Sequence, residues 1–104
     1  MIERYMEFFI DLSPDSQQQL DELTARERRI LLDEIDVQLR YEPNVETRKR
    51  KPLDSNELAT WELRVGDFRI FYDVETNPDP IVWIRAIGRK VRNKLFIGGK
   101  EIEL

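Results

Sequence analysis

Neither cysteine nor histidine occurs among the 104 residues. The first absence excludes disulfide scaffolding and thiol catalysis. The second excludes a histidine acid–base mechanism, and the two together exclude ordinary zinc sites, so no metal or cofactor is expected. No apolar run approaches the roughly 18 residues of a membrane helix. The opening Met1-Ile2-Glu3-Arg4 lacks the basic-then-apolar order of a secretory signal. A soluble, cytoplasmic chain that engages no membrane is therefore expected. Internal repeats and low-complexity segments are also missing. Residues 1–104 have the length of one small domain, which buries roughly 60–65% of its unfolded surface. The 40% apolar and 10% aromatic shares suffice for a core, and the 37% charged share is high for a folded domain without reaching a disordered composition.

The formal net charge of −4 conceals an asymmetry. Residues 1–44 carry eleven acidic and five basic side chains, whereas residues 45–104 carry ten and twelve. Such a basic second half can meet an anion, while the acidic first half repels it or meets a basic partner.

Ile2 to Ile10 reads as a strand with Met6, Phe8 and Ile10 on one face. Ser13-Pro14 reads as an N-cap followed by proline at the first helical position, opening a short helix to Leu23 that buries Leu20 and Leu23. Thr24 to Glu27 is a capping-box pattern for a second helix, Ala25 to Tyr41. Leu32, Ile35 and Leu39 give that helix an apolar stripe, widened by Ile30, Leu31 and Val37, and Glu42-Pro43 ends it. A polar linker, 44–57, contains the run Arg48, Lys49, Arg50, Lys51. Strands at Leu58–Val65 and Phe68–Glu75 flank Gly66-Asp67, a two-residue hairpin signal, and Ile81–Gly88 reads as an interior strand. Gly98-Gly99 makes a terminal hairpin in which Leu95 faces Ile102 and Lys94 faces Glu103. The order implies an α+β fold: an N-terminal strand, two helices, then an antiparallel three-strand meander. The helices pack on one face of a four-stranded sheet, with a short C-terminal hairpin beyond it.

A two-residue loop fixes register. It sets Val65 against Phe68, Arg64 against Arg69, Leu63 against Ile70, Glu62 against Phe71 and Trp61 against Tyr72. Trp61, Leu63, Val65, Phe68, Ile70 and Tyr72 then face the helices. Thr60, Glu62, Arg64, Arg69, Phe71 and Asp73 face the other way. Two arginines directly opposed repel each other, so they need either a bridging carboxylate from Glu62 or Asp73, or an anion such as phosphate. Trp83 and Arg85 alternate away from Val82, Ile84 and Ala86 and join the arginine face. There Trp83 either stacks a base or is covered by a loop. Arg48, Lys49, Arg50 and Lys51 rim the same surface, as solvated charges or as contacts to nucleic-acid phosphates. Arg89, Lys90 and Arg92 form a second basic cluster.

The stretch Trp61 to Tyr72 resembles the central motif of the RelE/ParE superfamily, toxins of bacterial type II toxin–antitoxin systems. Lys51-Pro52-Leu53 and Ile87-Gly88-Arg89-Lys90 resemble the family's pre-hairpin loop and Gly-x-Arg segment, and the two preceding helices match its order, so the likeness spans nearly the whole chain. The resemblance implies a toxin that acts in the stress response by inhibiting translation, as a metal-independent endoribonuclease cutting mRNA on the ribosome. In this reading Arg69 holds the phosphate, Arg64 is its basic neighbour, and Lys90 stands where many members carry a second arginine. Glu62 is the candidate base. The chain departs from the family where Thr60 and Glu62 replace second-strand lysines and Phe96 replaces a C-terminal tyrosine or histidine. Those departures suit the alternative: a ParE-like toxin that inhibits DNA gyrase by contact alone, or a member that keeps only antitoxin binding. A cognate antitoxin is the implied partner throughout.

Overall fold

In the computed structural model, which describes residues 6–104, the chain runs β1 (Phe9–Leu12), α1 (Pro14–Asp21), α2 (Ala25–Leu39), β2 (Arg50–Pro52), β3 (Trp61–Val65), β4 (Phe68–Glu75), β5 (Ile81–Val91), β6 (Lys94–Ile97) and β7 (Lys100–Ile102). Strand β1 starts at Phe9, later than the sequence pattern places it. Met6 is exposed, Phe8 is buried, and the earlier part of that expected strand lies outside the described residues.

Both helix starts follow from their caps. The Ser13 hydroxyl accepts from the Ser16 amide at 3.1 Å, and Pro14 occupies the first turn, where no donor is needed. Thr24 Oγ1 accepts from the Glu27 amide, and Glu27 Oε1 accepts from the Thr24 amide, both at 3.1 Å, completing a capping box. This backbone hydrogen bond, with the Thr24 hydroxyl and Arg89 adding to it, holds the Glu27 carboxyl below its ordinary pKa. Helix α1 ends at Asp21, short of Leu23, and the Arg28 guanidinium takes up the carbonyls of Asp21 and Leu23. Helix α2 buries Leu31, Ile35 and Leu39. The stripe is thus one position off the expected Leu32 phase, and Leu32 is 42% exposed, with Ile30 and Val37 also on the surface. Three consecutive apolar residues, Ile30 to Leu32, cannot all point inward on a helix, and periodicity does not choose among them.

The sheet has seven strands in the order β2-β3-β4-β5-β6-β7, with β1 also on β5. The sequence pattern gives four strands and a separate hairpin; the structure draws a strand out of the linker and continues β6–β7 directly from β5. All pairings are antiparallel except β1 with β5. Strand β5 is long enough to host two neighbours along one edge, β1 beside Ile81–Ile84 and β6 beside Gly88–Val91. At the gap between them, the Gln19 side chain of α1 accepts from the Ile87 amide at 2.8 Å. The β4–β5 register slips between Phe71 and Tyr72, which pair with Ala86 and Ile84, leaving Arg85 as a bulge. Helix α1 takes up the bulge's carbonyls, Ser16 Oγ donating to Ile84 and Ser13 Oγ to Arg85, both at 3.1 Å.

The main core lies between helices and sheet, built on Leu20, Leu31, Ile35, Leu39, Leu63, Ile70, Tyr72, Val82 and Ile84. On the opposite face a second cluster joins Ala59, Phe71, Ala86 and Leu95, with Leu53, Leu58, Ile97 and Ile102 packed against it. The bulge explains why Ala86 belongs here: it inverts the alternation after Ile84, contrary to simple parity. The loop before β3 and the hairpin β6–β7 therefore cover part of the arginine face. No helix among the described residues is long and apolar enough to cross a membrane.

Candidate anion-binding site

The β3–β4 hairpin has the register its two-residue turn requires, from Val65 opposite Phe68 to Trp61 opposite Tyr72, with Gly66 at φ 57°. Arg64 and Arg69 therefore sit opposite each other. Glu62, on the same face two residues before Arg64, lies between them. Its carboxylate accepts from Arg64 Nε at 2.8 Å and lies 3.9 Å from Arg69 Nε. Arg69 Nη1 also donates to the Gly66 and Phe68 carbonyls at 2.8 and 2.9 Å. The side chains of Glu62, Arg69 and Arg64 are 8%, 16% and 48% exposed. The fixed elements are thus Glu62 and Arg69, and Arg64 is the one that reaches solvent. One carboxylate between two guanidinium groups leaves a net positive charge at the pair.

Lys90 extends this face. Its amide donates to the Asp67 carbonyl at 2.8 Å, tying β5 to the hairpin turn, and its side chain makes no ion pair among the described residues. Gly88 is directly opposite Arg69, under β6: a Cβ there would stand 2.8 Å from the Phe96 carbonyl oxygen. A groove of about 500 Å³ opens between Glu62, Lys90 and the C-terminal hairpin, with Lys94, Leu95, Glu101, Ile102 and Glu103 along it. Sequence reading missed Lys94, Glu101 and Glu103 as neighbours of the site. The pairing of Leu95 with Ile102 was the available signal, because it carries β7 to the Lys90 side. Lys94 pairs with Glu101 at 3.7 Å rather than with Glu103, which lies past the end of β7.

Of the basic run in the linker, only Lys51 joins this face: it pairs in register with Glu62, and its ammonium contacts Glu46 at 3.3 Å. Arg48 is exposed and makes no ion pair among the described residues. Lys49 reaches Glu34 of α2 at 3.3 Å. Arg50 is buried, donating to the carbonyls of Val45 and Gln38 at 2.9 and 2.7 Å, so it holds the end of α2 and the linker. Its place on the core-facing side of the edge strand β2, opposite Leu63, decides this, and the unpaired carbonyls of a helix end make a natural acceptor for it.

Arg89 faces the helices, at 2.7 Å from Glu27 and over the Phe68 ring at 4.4 Å. Arg92 forms, with Asn93, the turn into β6, both at positive φ. Arg85 and Trp83 share the arginine face but at its far end. Arg85 contacts Asp73 at 2.9 Å and lies 5.7 Å from the Trp83 ring, whose Nε1 donates to Glu75 at 2.9 Å. Burial pushes the Asp73 carboxyl up, but hydrogen bonds from Arg85 and from the Thr60 hydroxyl and amide outweigh it and hold the group below its ordinary pKa. Tyr72, on the core face, donates its hydroxyl to the Pro43 carbonyl at 2.7 Å, and burial raises its pKa well above the ordinary tyrosine range. Phe96 pairs with Arg89, away from Arg64 and Arg69.

Two helices thus pack on one face of a mostly antiparallel sheet, with the paired arginines on the other. Among solved structures, the RelBE2 toxin–antitoxin complex from Mycobacterium tuberculosis contains a chain that superposes on this one with a TM-score of 0.65. The two are 21% identical, and the match covers 82% of this chain and all of that one. No family model and no curated protein sequence matches this chain.

Proposed function

We propose that this protein is the toxin of a type II toxin–antitoxin pair, and that its Arg64–Arg69–Lys90 face engages the sugar-phosphate backbone of mRNA on the ribosome to cut it and stop translation. The fold shared with a chain of a toxin–antitoxin complex supports the toxin role and a protein antitoxin as partner. The observation that carries the RNA reading is the direct opposition of Arg64 and Arg69, with one carboxylate for two guanidinium groups and beside them Lys90, which has no ion pair among the described residues. Guanidinium forks match phosphate oxygens and keep their charge at any physiological pH. In cleavage the 2′-hydroxyl oxygen bonds to the adjacent phosphorus as its proton leaves to water. The bond from phosphorus to the 5′-oxygen then breaks, and that oxygen takes a proton from water. The extra negative charge of the pentavalent intermediate falls where Arg69 and Arg64 stand. Removing one such donor costs on the order of 10²–10³ in rate.

The test is induced expression with mapping of transcript ends, for the parent and for Arg69→Ala. Growth arrest with new ends in the parent, and roughly a hundredfold fewer in the variant, is the expected result. Equal cleavage by both would remove Arg69 from the chemistry. A second reading, a toxin that inhibits DNA gyrase by contact alone, is favoured by one feature. Glu62 is committed to the arginines and the Tyr72 hydroxyl is buried on Pro43, which leaves little at the site to move a proton. A supercoiling assay with purified gyrase decides between them: inhibition at stoichiometric protein without transcript cleavage supports the second.

A further inference from the structure

The groove between Lys90 and the C-terminal hairpin differs in character from the arginine pair it adjoins. Its floor is apolar, made by the cross-strand neighbours Leu95 and Ile102, while Glu101 and Glu103 stand along it as acceptors. Neither carboxylate is needed to separate the paired arginines, which Glu62 already does. Their position beside Lys90 suits a ligand that is anionic at one end and a hydrogen-bond donor at the other. At about 500 Å³ the groove falls within the range of small-ligand sites. A nucleotide meets all three demands: a phosphate for the cations, a flat ring for the apolar floor, and, on some bases, an amino group for a carboxylate. Carboxylates accept readily from such exocyclic amino groups.

We infer that this groove is a nucleobase subsite that selects, through Glu103 and Glu101, a base carrying an exocyclic amino group next to the phosphate held by Arg64, Arg69 and Lys90. The inference rests on the RNA-binding reading above and adds a specificity to it. Glu103 has no ion pair among the described residues, whereas Glu101 is shared with Lys94 at 3.7 Å, so Glu103 is the principal acceptor.

The experiment titrates the full chain with 2′-O-methyl trinucleotides, which bind without being cut. Two pairs are compared at the central position: guanosine against inosine, which differ only by the amino group, and cytidine against uridine, where a carbonyl replaces the amino group and N3 gains a proton. The expected result is about tenfold tighter binding of the amino-bearing member of at least one pair, at the lower end of the discrimination a well-placed acceptor gives. In Glu103→Ala the preference should fall to within twofold, with binding of the member lacking the amino group unchanged. Glu103 is exposed and lies past the end of β7, so the variant keeps its fold, and its unfolding midpoint checks this. Arg64→Ala should weaken all four ligands alike and leave the preference standing. Measurable binding without discrimination in the parent overturns the base subsite and leaves the phosphate face intact. No binding of any trinucleotide overturns both.

Discussion

At Glu62 a single buried carboxylate serves two cationic groups that the hairpin forces together. Its contacts with Arg64 and Arg69 offset a repulsion that register alone creates. The same contacts hold back part of the positive potential the site offers to a ligand. Glu62→Gln keeps the shape and removes the charge. Chemical denaturation should then show a loss of roughly 1 kcal/mol, while titration with single-stranded RNA shows severalfold tighter binding. A variant that is less stable and also binds more weakly would mean that Glu62 orients the arginines rather than masking them. Tyr72 allows a second test at this scale. The unfolded chain releases the tyrosine proton near pH 10, whereas the buried Tyr72 keeps it, so the unfolded state binds fewer protons and stability falls as pH rises above 10. Tyr72→Phe should flatten that alkaline decline and cost about 1 kcal/mol at neutral pH, because the Pro43 carbonyl loses its donor. Asp73 acts at the other end. Its folded pKa lies below the ordinary value, so its contribution is present above about pH 4 and is lost as pH falls further. Urea midpoints between pH 2 and 11 check both directions, and an unchanged alkaline slope in Tyr72→Phe would contradict the assignment.

Among the elements, hairpin β6–β7 decides how open the arginine face is, and Gly88 lets it fold there. A side chain at Gly88 would meet the backbone oxygen of Phe96 at 2.8 Å and Ile97 Cγ1 at 2.9 Å, and a backbone atom paired in the sheet cannot swing aside. Gly88→Ala should cost about 1–3 kcal/mol by overpacking, whereas Arg92→Gly, which relieves a non-glycine residue at φ 52°, should raise stability by about 1 kcal/mol. Thermal melts of the two variants moving in the same direction would refute this account of the hairpin. This is also where the sequence was least legible. Helix caps and the Gly66-Asp67 register are local, set by residues within a few positions of one another, and they read correctly. The bulge at Arg85, the strand at Arg50–Pro52 and the inward turn of Arg50 depend on partners far along the chain, and local alternation carries no trace of them. The candidate site shows the same division. Arg64, Arg69 and Glu62 followed from one turn, but the separation of Arg89 from Lys90 onto opposite faces required knowing that β5 runs on past Gly88.

Over the whole molecule, a net charge of −4 repels RNA at long range, so attraction depends on how few groups are concentrated where. Counting basic residues along the chain overstates the footprint. Lys49, Arg50, Arg85 and Arg89 are each engaged by the protein's own carbonyls or carboxylates, away from the paired arginines. In the proposed reading, the phosphate contacts nearest the arginine pair are then Arg64, Arg69 and Lys90, which neutralise two or three phosphates. Each phosphate neutralised on a single strand contributes about −0.7 to the slope of log K against log salt, so the expected slope is only about −1.4 to −2.1. Lys90→Ala should make it shallower by about 0.7. Arg89→Ala should leave it unchanged, because that guanidinium is held by Glu27 and Phe68 on the helix side. Anisotropy titrations with a labelled oligoribonucleotide between 50 and 300 mM salt, as roughly spaced points across the range where such slopes are read, give both numbers. A slope near −4 would require the basic linker to contact RNA as well. A slope that Arg89→Ala reduces as much as Lys90→Ala would place the RNA on the helix side of the sheet and move the site away from the arginine pair.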